Sequence, residues 1–503
     1  MRRIEVIAAV DIGTTSAKAV TIDRQGRIVA RGKAGYATAV GASGQAEQSP
    51  EDWWAAACEA LRACAAPGVA VVALALTGQM QDLVLTAEGN LLRPAILYSD
   101  QRATAEAADV LGAVPVEEWV HVTGNLQDAS GLPAKLLWLR RNEPELYHRA
   151  ERLLLGAHDY VSWRACGAEL TDVTTASTTG LMDLDSNTWA VGLLESLGLR
   201  TDWLPDLKPT HEPAGYLTDE AAAQLSLPTR TPVFHSAGDA ATTAIGIGAD
   251  EPGMSYLYLG TSGWLATTTP GHRANPQSGI FTLRHPVPEW TILIGPMLTS
   301  GGSLDWMRRT ISRDATYQAV EEVAAAAPPG SGGLIFLPYL AGERAPFRDP
   351  DARGALIGLS TATSRGEIFR SVMEGVAFAF RSIEDAMTSA NHASGQFPLV
   401  FAGGGSRSEL WCQILATVMG RTVRRSDAFE DVAVRGAAGV AGKALGWYGN
   451  DSCPWATVDE VTFEPDIRAI PVYEGLYETF RDLYPALSSI YKRLAGLRPS
   501  SFC

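Results

Sequence analysis

The sequence predicts an α/β protein of two large halves, on three observations. At 503 residues the chain exceeds what one hydrophobic core usually organises. Short runs rich in valine and isoleucine alternate with stretches at helical spacing, the signature of mixed sheet and helix. A strand that breaks into a Gly-Thr turn occurs at Gly13-Thr14 and again at Gly260-Thr261, about 250 residues apart, as a strongly diverged duplication would place it. The boundary is expected near Gly248 to Gly253, dividing the chain into 1–248 and 249–503.

The elements follow in order. Glu5 to Val10 is an apolar run that ends in Asp11-Ile12-Gly13-Thr14-Thr15, a strand leading into a tight loop. Thr21 to Asp23 and Arg27 to Val29 flank the polar turn Arg24-Gln25-Gly26, which puts that loop in an antiparallel hairpin system. Ser49, Pro50 and Asp52 read as a cap, a first helical position and an acidic first turn, opening an alanine-rich helix through Ala66. A buried strand, Val69 to Leu76, runs into Gly78-Gln79-Met80-Gln81. Thr231 to Phe234 is strand-like, and a small-residue helix follows Gly238-Asp239. Met254 to Leu259 is the strand before the second Gly-Thr turn. Pro398 to Phe401 runs into Gly403-Gly404-Gly405, after which Ser406 and Glu409 are expected to form a capping box. From about Pro471, Tyr473, Leu476, Phe480 and Leu483 predict a helical tail.

Composition narrows the function. The chain is 46% hydrophobic and 19% charged, ordinary for a folded protein with a sizeable core. A net charge of −15 argues against non-specific attraction to nucleic acid or anionic membrane. Six cysteines form no Cys-x-x-Cys pair, and the eight histidines show no metal-ligand spacing, so a reducing, cytoplasmic setting fits. The start, Met1-Arg2-Arg3-Ile4, is broken by Glu5 and Asp11 too early for a signal peptide. No stretch approaches the roughly 20 apolar residues that span a bilayer.

The motifs point to phosphate chemistry. Glycine lets backbone amides approach phosphate oxygens, and threonine or serine hydroxyls add donors, so the paired turns form a candidate phosphate clamp. Asp11 is the natural carboxylate for hydrated magnesium, and Lys18 follows as a point charge. The Gly403 to Gly405 run before a helix N-terminus offers close backbone beside a nucleotide. Phosphorylating an alcohol needs a group to take the hydroxyl proton, and Asp239 is the candidate base. Gly436 to Ala444 resembles a Walker loop but has five intervening residues and alanine after Lys443, so it reads as a small-residue helix packed closely on a neighbour. His235 reads as structural, Trp53, Trp54 and Trp138 as packing, and Glu343-Arg344 as an ion pair holding a loop.

Together these motifs resemble the FGGY carbohydrate kinases over nearly the whole chain. The first half carries D-I-G-T-T-S-A-K from Asp11, G-Q-M from Gly78, K-L-L-W-L-R-R-N from Lys135 and G-D at Gly238. The second half carries Y-L-G-T-S-G from Tyr258, F-L-P-Y-L-A-G-E-R-A-P from Phe336 and A-G-G-G-S-R-S-E-L-W from Ala402. The stretch from Gly354 to Glu374 fits the family's C-terminal signature. The resemblance implies two ribonuclease-H-like domains, of the actin and hexokinase type, with an active-site cleft between them. It implies ATP and Mg2+ as cofactors, Asp239 as catalytic base, and Asp11 and Asp239 at the metal. Gly13, Thr14, Thr15 and Lys18 would face the phosphates from one side, and Gly260, Thr261 and Ser262 from the other. Gly301, Gly404, Gly405 and Ser408 would line the adenosine end. Met80, Gln81, Asp239 and Ala240 would contact the sugar, foremost a ketopentose such as D-xylulose, with another ketose or a polyol such as glycerol or erythritol as the alternative. A non-catalytic sugar sensor or actin-like ATPase module is the reading from another class. A homodimer is the one macromolecular partner implied.

Three positions depart from the xylulose-phosphorylating members. Gln81 stands where those read histidine, Ala240 where they read asparagine, and Leu132 breaks the N-terminal signature. Glutamine keeps a polar contact, whereas alanine removes one beside the proposed base.

Overall fold

The computed structural model describes residues 3–41, 44–388, 397–426, 429–449 and 461–497. Met1, Arg2, Cys453 and Cys503 lie outside the described residues. Two twisted sheets dominate. The first contains β1 (Ile4–Ile12), β2 (Ser16–Asp23), β3 (Ile28–Gly35), β4 (Val69–Gly78), β5 (Pro213–Tyr216) and β6 (Pro232–His235), in the order β5-β6-β4-β1-β2-β3. The second contains β7 (Ser255–Leu259), β8 (Gly263–Thr269), β9 (Phe281–Arg284), β10 (Thr291–Met297), β11 (Leu399–Ala402), β12 (Val423–Arg425) and β13 (Val461–Phe463), in the order β9-β10-β8-β7-β11-β12-β13.

The halves repeat one topology. In each, an antiparallel meander (β1-β2-β3, then β7-β8-β10) is extended on the first strand's free edge by two parallel strands (β4 and β6, then β11 and β12). This is the ribonuclease-H-like pattern, and it makes the duplication of the Gly-Thr turn a duplication of structure. Burial explains the composition of the central strands: Val6 to Val10 and Leu74 to Leu76 are fully covered on both faces and are apolar throughout.

Helices cover both sheets. Helices α1 (Pro50–Ala63) and α2 (Ala157–Cys166) share a core with one face of the first sheet, and Trp53 is fully buried there. α3 (Val173–Thr178) is short and capped by Asp172, whose carboxylate accepts from the amides of Thr174 and Thr175. α4 (Asp239–Gly246) leaves the first half and packs with the inner strands of the second sheet, through Ala241, Ala244 and Tyr256. α5 (Gly301–Ile311), α6 (Arg365–Thr388), α7 (Glu409–Met419) and α9 (Ile470–Ala495) surround the large core of the second half. α8 (Val432–Ala444) reaches back to cover the first sheet, packing Val434, Ala437, Ala438 and Ala441 on Ile7, Ala9 and Ala75. The small residues of the Walker-like segment are thus a helix seam. A Cβ added to Gly436 would lie 1.8 Å from the Thr242 carbonyl, and one on Gly246 would lie 1.9 Å from that of Val432.

Several expectations are corrected locally. The cap of α7 is Ser408, whose hydroxyl accepts from the Trp411 amide, while Ser406 bonds back to the Gly403 carbonyl. The chain makes a 3-10 turn over Gly404–Arg407 first, which moves the helix start on by two residues. Ser49 precedes α1 without a side-chain cap bond, and the helix stops at Ala63. β2 begins directly after the Gly-Thr turn, so the first turn closes a hairpin outright. Glu343 does not pair with Arg344: its carboxylate accepts the amides of Leu298 and Arg344, and the guanidinium turns to Asp128, 3.9 Å away. Trp138 lies under the Arg102 guanidinium. Among the described residues no helix is long and apolar enough to cross a membrane.

Candidate active site between the two sheets

Strand register builds the first wall of the site. Asp11 of β1 lies opposite Lys18 of β2, so the two side chains share a face of the hairpin whose turn is Gly13-Thr14-Thr15. The same pairing in the second half sets Tyr258 of β7 opposite Trp264 of β8, with rings stacked at 4.1 Å. The duplicated hairpin therefore presents a charged pair from one half and an aromatic pair from the other, and both line one cavity of about 340 Å3. Asp239, Ala240 and Thr243 of α4 and Glu430, Val432 and Ala433 at the start of α8 complete it. Two helix N-termini thus converge on this space with their positive dipole ends, an arrangement that favours an anion. The Lys18 ammonium donates to the Glu430 carbonyl at 3.4 Å, which tethers the lysine beside the α8 start.

A larger cavity, about 820 Å3, lies in the second half. Gly260, Thr261, Gly301, Gly404, Gly405 and Ser408 all line it, with Trp306, Tyr317 and Trp411 among its other walls. Its size suits a nucleotide. The second Gly-Thr turn is laced to the start of α5: the amides of Gly301 and Gly302 donate to the carbonyls of Gly260 and Thr261, at 2.9 and 3.0 Å. Gly403, with φ of 96°, and Gly405, where a Cβ would meet Leu259 at 2.4 Å, let the glycine turn lie flat on β7. The Ser408 hydroxyl is committed to Glu321 and to its own helix cap.

Other sequence-predicted residues stand around these cavities, outside both linings. Ser262 and Thr15 are exposed at the tips of the turns. The Thr14 hydroxyl lies 3.2 Å from that of Tyr98, and Tyr36 donates to the Gly13 carbonyl. Met80 packs against Gly238, so closely that a Cβ there would lie 2.1 Å from its sulfur. Gln81 has φ of 63°, a left-handed conformation, and its side-chain amide donates to the Ser130 carbonyl at 3.1 Å.

The electrostatics fit a cation between the carboxylates. Burial pushes the Asp11 carboxyl up to about 6, against the pull of Lys18 and His158. Burial, then the charge of Asp11, pushes Asp239 up to about 7. Asp11 Oδ1 is buried with no hydrogen-bond partner. Two buried carboxyls, the charge of one raising the other and one holding an orphaned oxygen, form a donor set of the hard-oxygen kind that magnesium takes.

Sequence reading missed a buried group behind this wall. His158 and Asp159 at the start of α2, Asp172 before α3 and His235 at the end of β6 meet with their ligating atoms within 4.8 Å of one another. No spacing rule joins residues 14 to 76 positions apart. The only sequence signal was polarity: a His-Asp pair in the first turn of a helix and a histidine closing an apolar strand.

Comparison with known proteins agrees with this architecture. The N-terminal domain of the FGGY family of carbohydrate kinases matches residues 6–246, and its C-terminal domain matches 255–445. The chain is 31% identical to the xylulose kinase of Escherichia coli over 485 residues, covering 95% of this chain and 98% of that one. The solved xylulose kinase of Rhodospirillum rubrum is similar at a TM-score of 0.88 and 30% identity, over 97% of this chain and 100% of the other. A gluconate kinase from Lactobacillus acidophilus is similar at a TM-score of 0.90 and 26% identity, over 98% and 100%. With both domain patterns matched in order and relatives at this identity spanning nearly the whole length, the chain belongs to the FGGY family of carbohydrate kinases.

Proposed function

We propose that this ATP-dependent carbohydrate kinase phosphorylates a terminal hydroxyl of a ketopentose, with D-xylulose the foremost substrate and Asp239 the catalytic base. The carrying observation is the cavity in which Asp239 faces Asp11 and Lys18 at the meeting of two helix N-termini. Similarity to xylulose kinases over the full chain supports the choice of sugar.

In this reading the larger cavity takes the nucleotide, with Gly301, Gly404, Gly405 and the Ser408 region at its adenosine end. The turns Gly13-Thr14-Thr15 and Gly260-Thr261-Ser262 flank the phosphates. Lys18 offsets phosphate charge. Asp239, at the first turn of α4, accepts the proton of the attacking hydroxyl as the new O–P bond forms, and the β–γ bridging oxygen leaves with ADP. Met80, Gln81 and Ala240 bound the sugar. Asp11 and Asp239 are the residues that would hold Mg2+, which would supply charge neutralisation on the phosphate oxygens. Burial raises Asp239 towards neutrality, so its affinity for a proton suits a base that must both take and release one. The bodies 1–248 and 249–503 are the units that bring sugar and nucleotide together.

A second reading, another ketose, a polyol or a sugar acid, is favoured by Ala240, which puts a methyl group in the cavity wall beside the base. A coupled assay of ADP release over a panel of ketoses, polyols and aldonic acids decides. The ketopentose reading expects the highest kcat/KM on D-xylulose, and a tenfold preference for any non-pentulose overturns it. Asp239→Ala is expected to lower kcat by roughly 10²- to 10⁴-fold with the circular dichroism spectrum retained, and an active variant overturns the role of the base.

A further inference from the structure

We infer that His158, Asp159, Asp172 and His235 form a clamp that fixes the backbone turn presenting Asp239, and are positioning residues for phosphoryl transfer. The inference rests on Asp239 being the base. All four side chains are at most 3% exposed. His235 lies 2.8 Å from Asp159 Oδ1 through Nε2, His158 lies 3.2 Å from Asp172 Oδ2, and the two imidazole centres are 4.5 Å apart. Each carboxylate is locked by its other oxygen: Asp159 Oδ2 accepts the Leu155 amide, and Asp172 Oδ1 accepts those of Thr174 and Thr175. Neither carboxylate can rotate to an alternative partner without losing backbone bonds.

Among the described residues the ion-pair partners of these two carboxylates are the two histidines. Burial alone would make His158 lose its proton, but the Asp172 hydrogen bond and the nearby carboxylates outweigh it and raise its proton affinity. Asp172 is correspondingly held far below the usual carboxylate range despite its burial. The ring is held through Nε2 alone, since among the described residues His158 Nδ1 is buried with no hydrogen-bond partner, and a buried polar network of this kind is stiff where its members are paired.

The clamp reaches the catalytic turn by two routes. His235 ends β6, four residues before Asp239. Thr175 donates its hydroxyl to Asp172 Oδ2 at 2.7 Å and lies 3.3 Å from His158 Nε2, and the same oxygen sits 2.9 Å from where a Cβ on Gly238 would be. Between these anchors Ala237 has φ of 127°, a conformation that is strained for a non-glycine residue. Such strain persists only where surroundings over-determine it, and here Thr77 also holds the Ala237 carbonyl, at 2.7 Å. His235, the strained Ala237, Gly238 and the proposed base occupy one continuous stretch of chain, held from outside by Thr175 and Thr77.

The test combines Asp172→Asn and Thr175→Val with Ala237→Gly, reading kcat, KM for sugar and ATP, and Tm. Thr175→Val is isosteric and removes the hydroxyl that joins Asp172 to the side chain packed beside Gly238 while leaving the histidines in place, so it tests the idea even if Asp172→Asn does not fold. The expected result is a kcat loss of about 10- to 100-fold in each, with KM for ATP changed less than twofold. Ala237→Gly, which removes the penalty of the turn, is expected to restore kcat at least tenfold in the Thr175→Val background, a non-additivity that lost stability alone does not produce. Wild-type kcat in Thr175→Val, or a kcat loss that follows Tm with no restoration, overturns the clamp. So does a stoichiometric transition metal found in the purified enzyme whose chelation abolishes activity. Asp239→Asn is measured alongside: if it stays active the base assignment has failed, whereas an inactive Asp239→Asn with fully active clamp variants refutes the clamp alone.

Discussion

Asp11 and Lys18 in one hairpin and Tyr258 and Trp264 in its duplicate show how a repeated scaffold comes to hold different chemistry at matching positions. In the proposed reading the charged pair serves an anion and a cation, while the aromatic pair lines the same cavity as Asp239 and Ala240. Ala240 is then the residue at which specificity is most open to change. Ala240→Asn adds a donor and an acceptor beside the base, and a site that bonds a substrate hydroxyl discriminates far more strongly than one that merely fits it. The variant is expected to change the ratio of kcat/KM for D-xylulose over other ketoses and polyols at least tenfold, measured by ADP release. Unchanged ratios across the panel mean that position 240 does not touch the sugar. At this scale the sequence was legible where function is local in the chain. Asp11 sits next to the end of β1 before a glycine-threonine turn, and Asp239 opens α4 just after β6 before a small-residue stretch, so the pattern singles both out as candidates. The His158 and Asp172 group was not legible, because its members meet only after β6, α2 and the cap of α3 are assembled.

The crossing of α4 and α8 is the element on which both halves depend. Each helix starts at the smaller cavity, which Asp11 and Lys18 also line, and packs on the sheet nearer the other half, and Gly246 and Gly436 let their backbones touch. Gly436→Ala puts a methyl 1.8 Å from a backbone carbonyl that has no rotamer to yield, so the helices must part. We expect destabilisation of about 1–3 kcal/mol by urea unfolding, with a fall in kcat/KM because both helix starts move from the cavity. Gly112→Ala is the control: nothing lies within 4 Å of the added methyl, in a helix spanning Thr104–Ala113. It should be neutral or stabilising by up to about 1 kcal/mol. Equal loss in both variants would show that the crossing has slack. Periodicity and small-residue content sufficed to read Gly436 to Ala444 as a close-packed helix, but not which sheet it covers. Local chemistry also misplaced the α7 cap, because Ser406 and Ser408 carry the same hydroxyl and only the intervening turn selects between them.

For the whole molecule, buried carboxyls make stability depend on pH in an uncommon direction. Burial holds Glu343 up at about 7 against an ordinary 4.5, and its Oε2 has no partner. Burial raises Asp82 to about 8 from 3.8. A carboxyl that is harder to ionise when folded binds more protons in the native than in the unfolded state, so its contribution is full below the unfolded value and is lost as pH rises through the folded one. For Glu343 that window runs from about 4.5 to 7, and the loss is on the order of 3 kcal/mol. Glu343→Gln keeps an acceptor for the Leu298 and Arg344 amides and removes the ionisation, so its Tm is expected to fall less than that of the parent between pH 5 and 8. Parallel Tm curves would place the residue outside the pH response. The loop that Glu343 anchors also matters for motion, because Arg344 and Arg348 reach Asp128 of the first half at 3.9 and 3.6 Å, contacts too long and too exposed to hold the cleft shut. The halves are instead stitched at one edge, where Asn125 exchanges hydrogen bonds with Thr282 of β9, and Thr174 and Ser177 of α3 bond to Arg284. An assembly pinned at that edge and at the helix crossing can close by rotating the remaining cleft walls together, which excludes water from the transferring phosphoryl group. Small-angle scattering is expected to show a smaller radius of gyration with saturating sugar and a non-hydrolysable ATP analogue than without ligand. Identical profiles at saturation would mean that the cavities are already in their working arrangement and that the arginine contacts to Asp128 serve no closure.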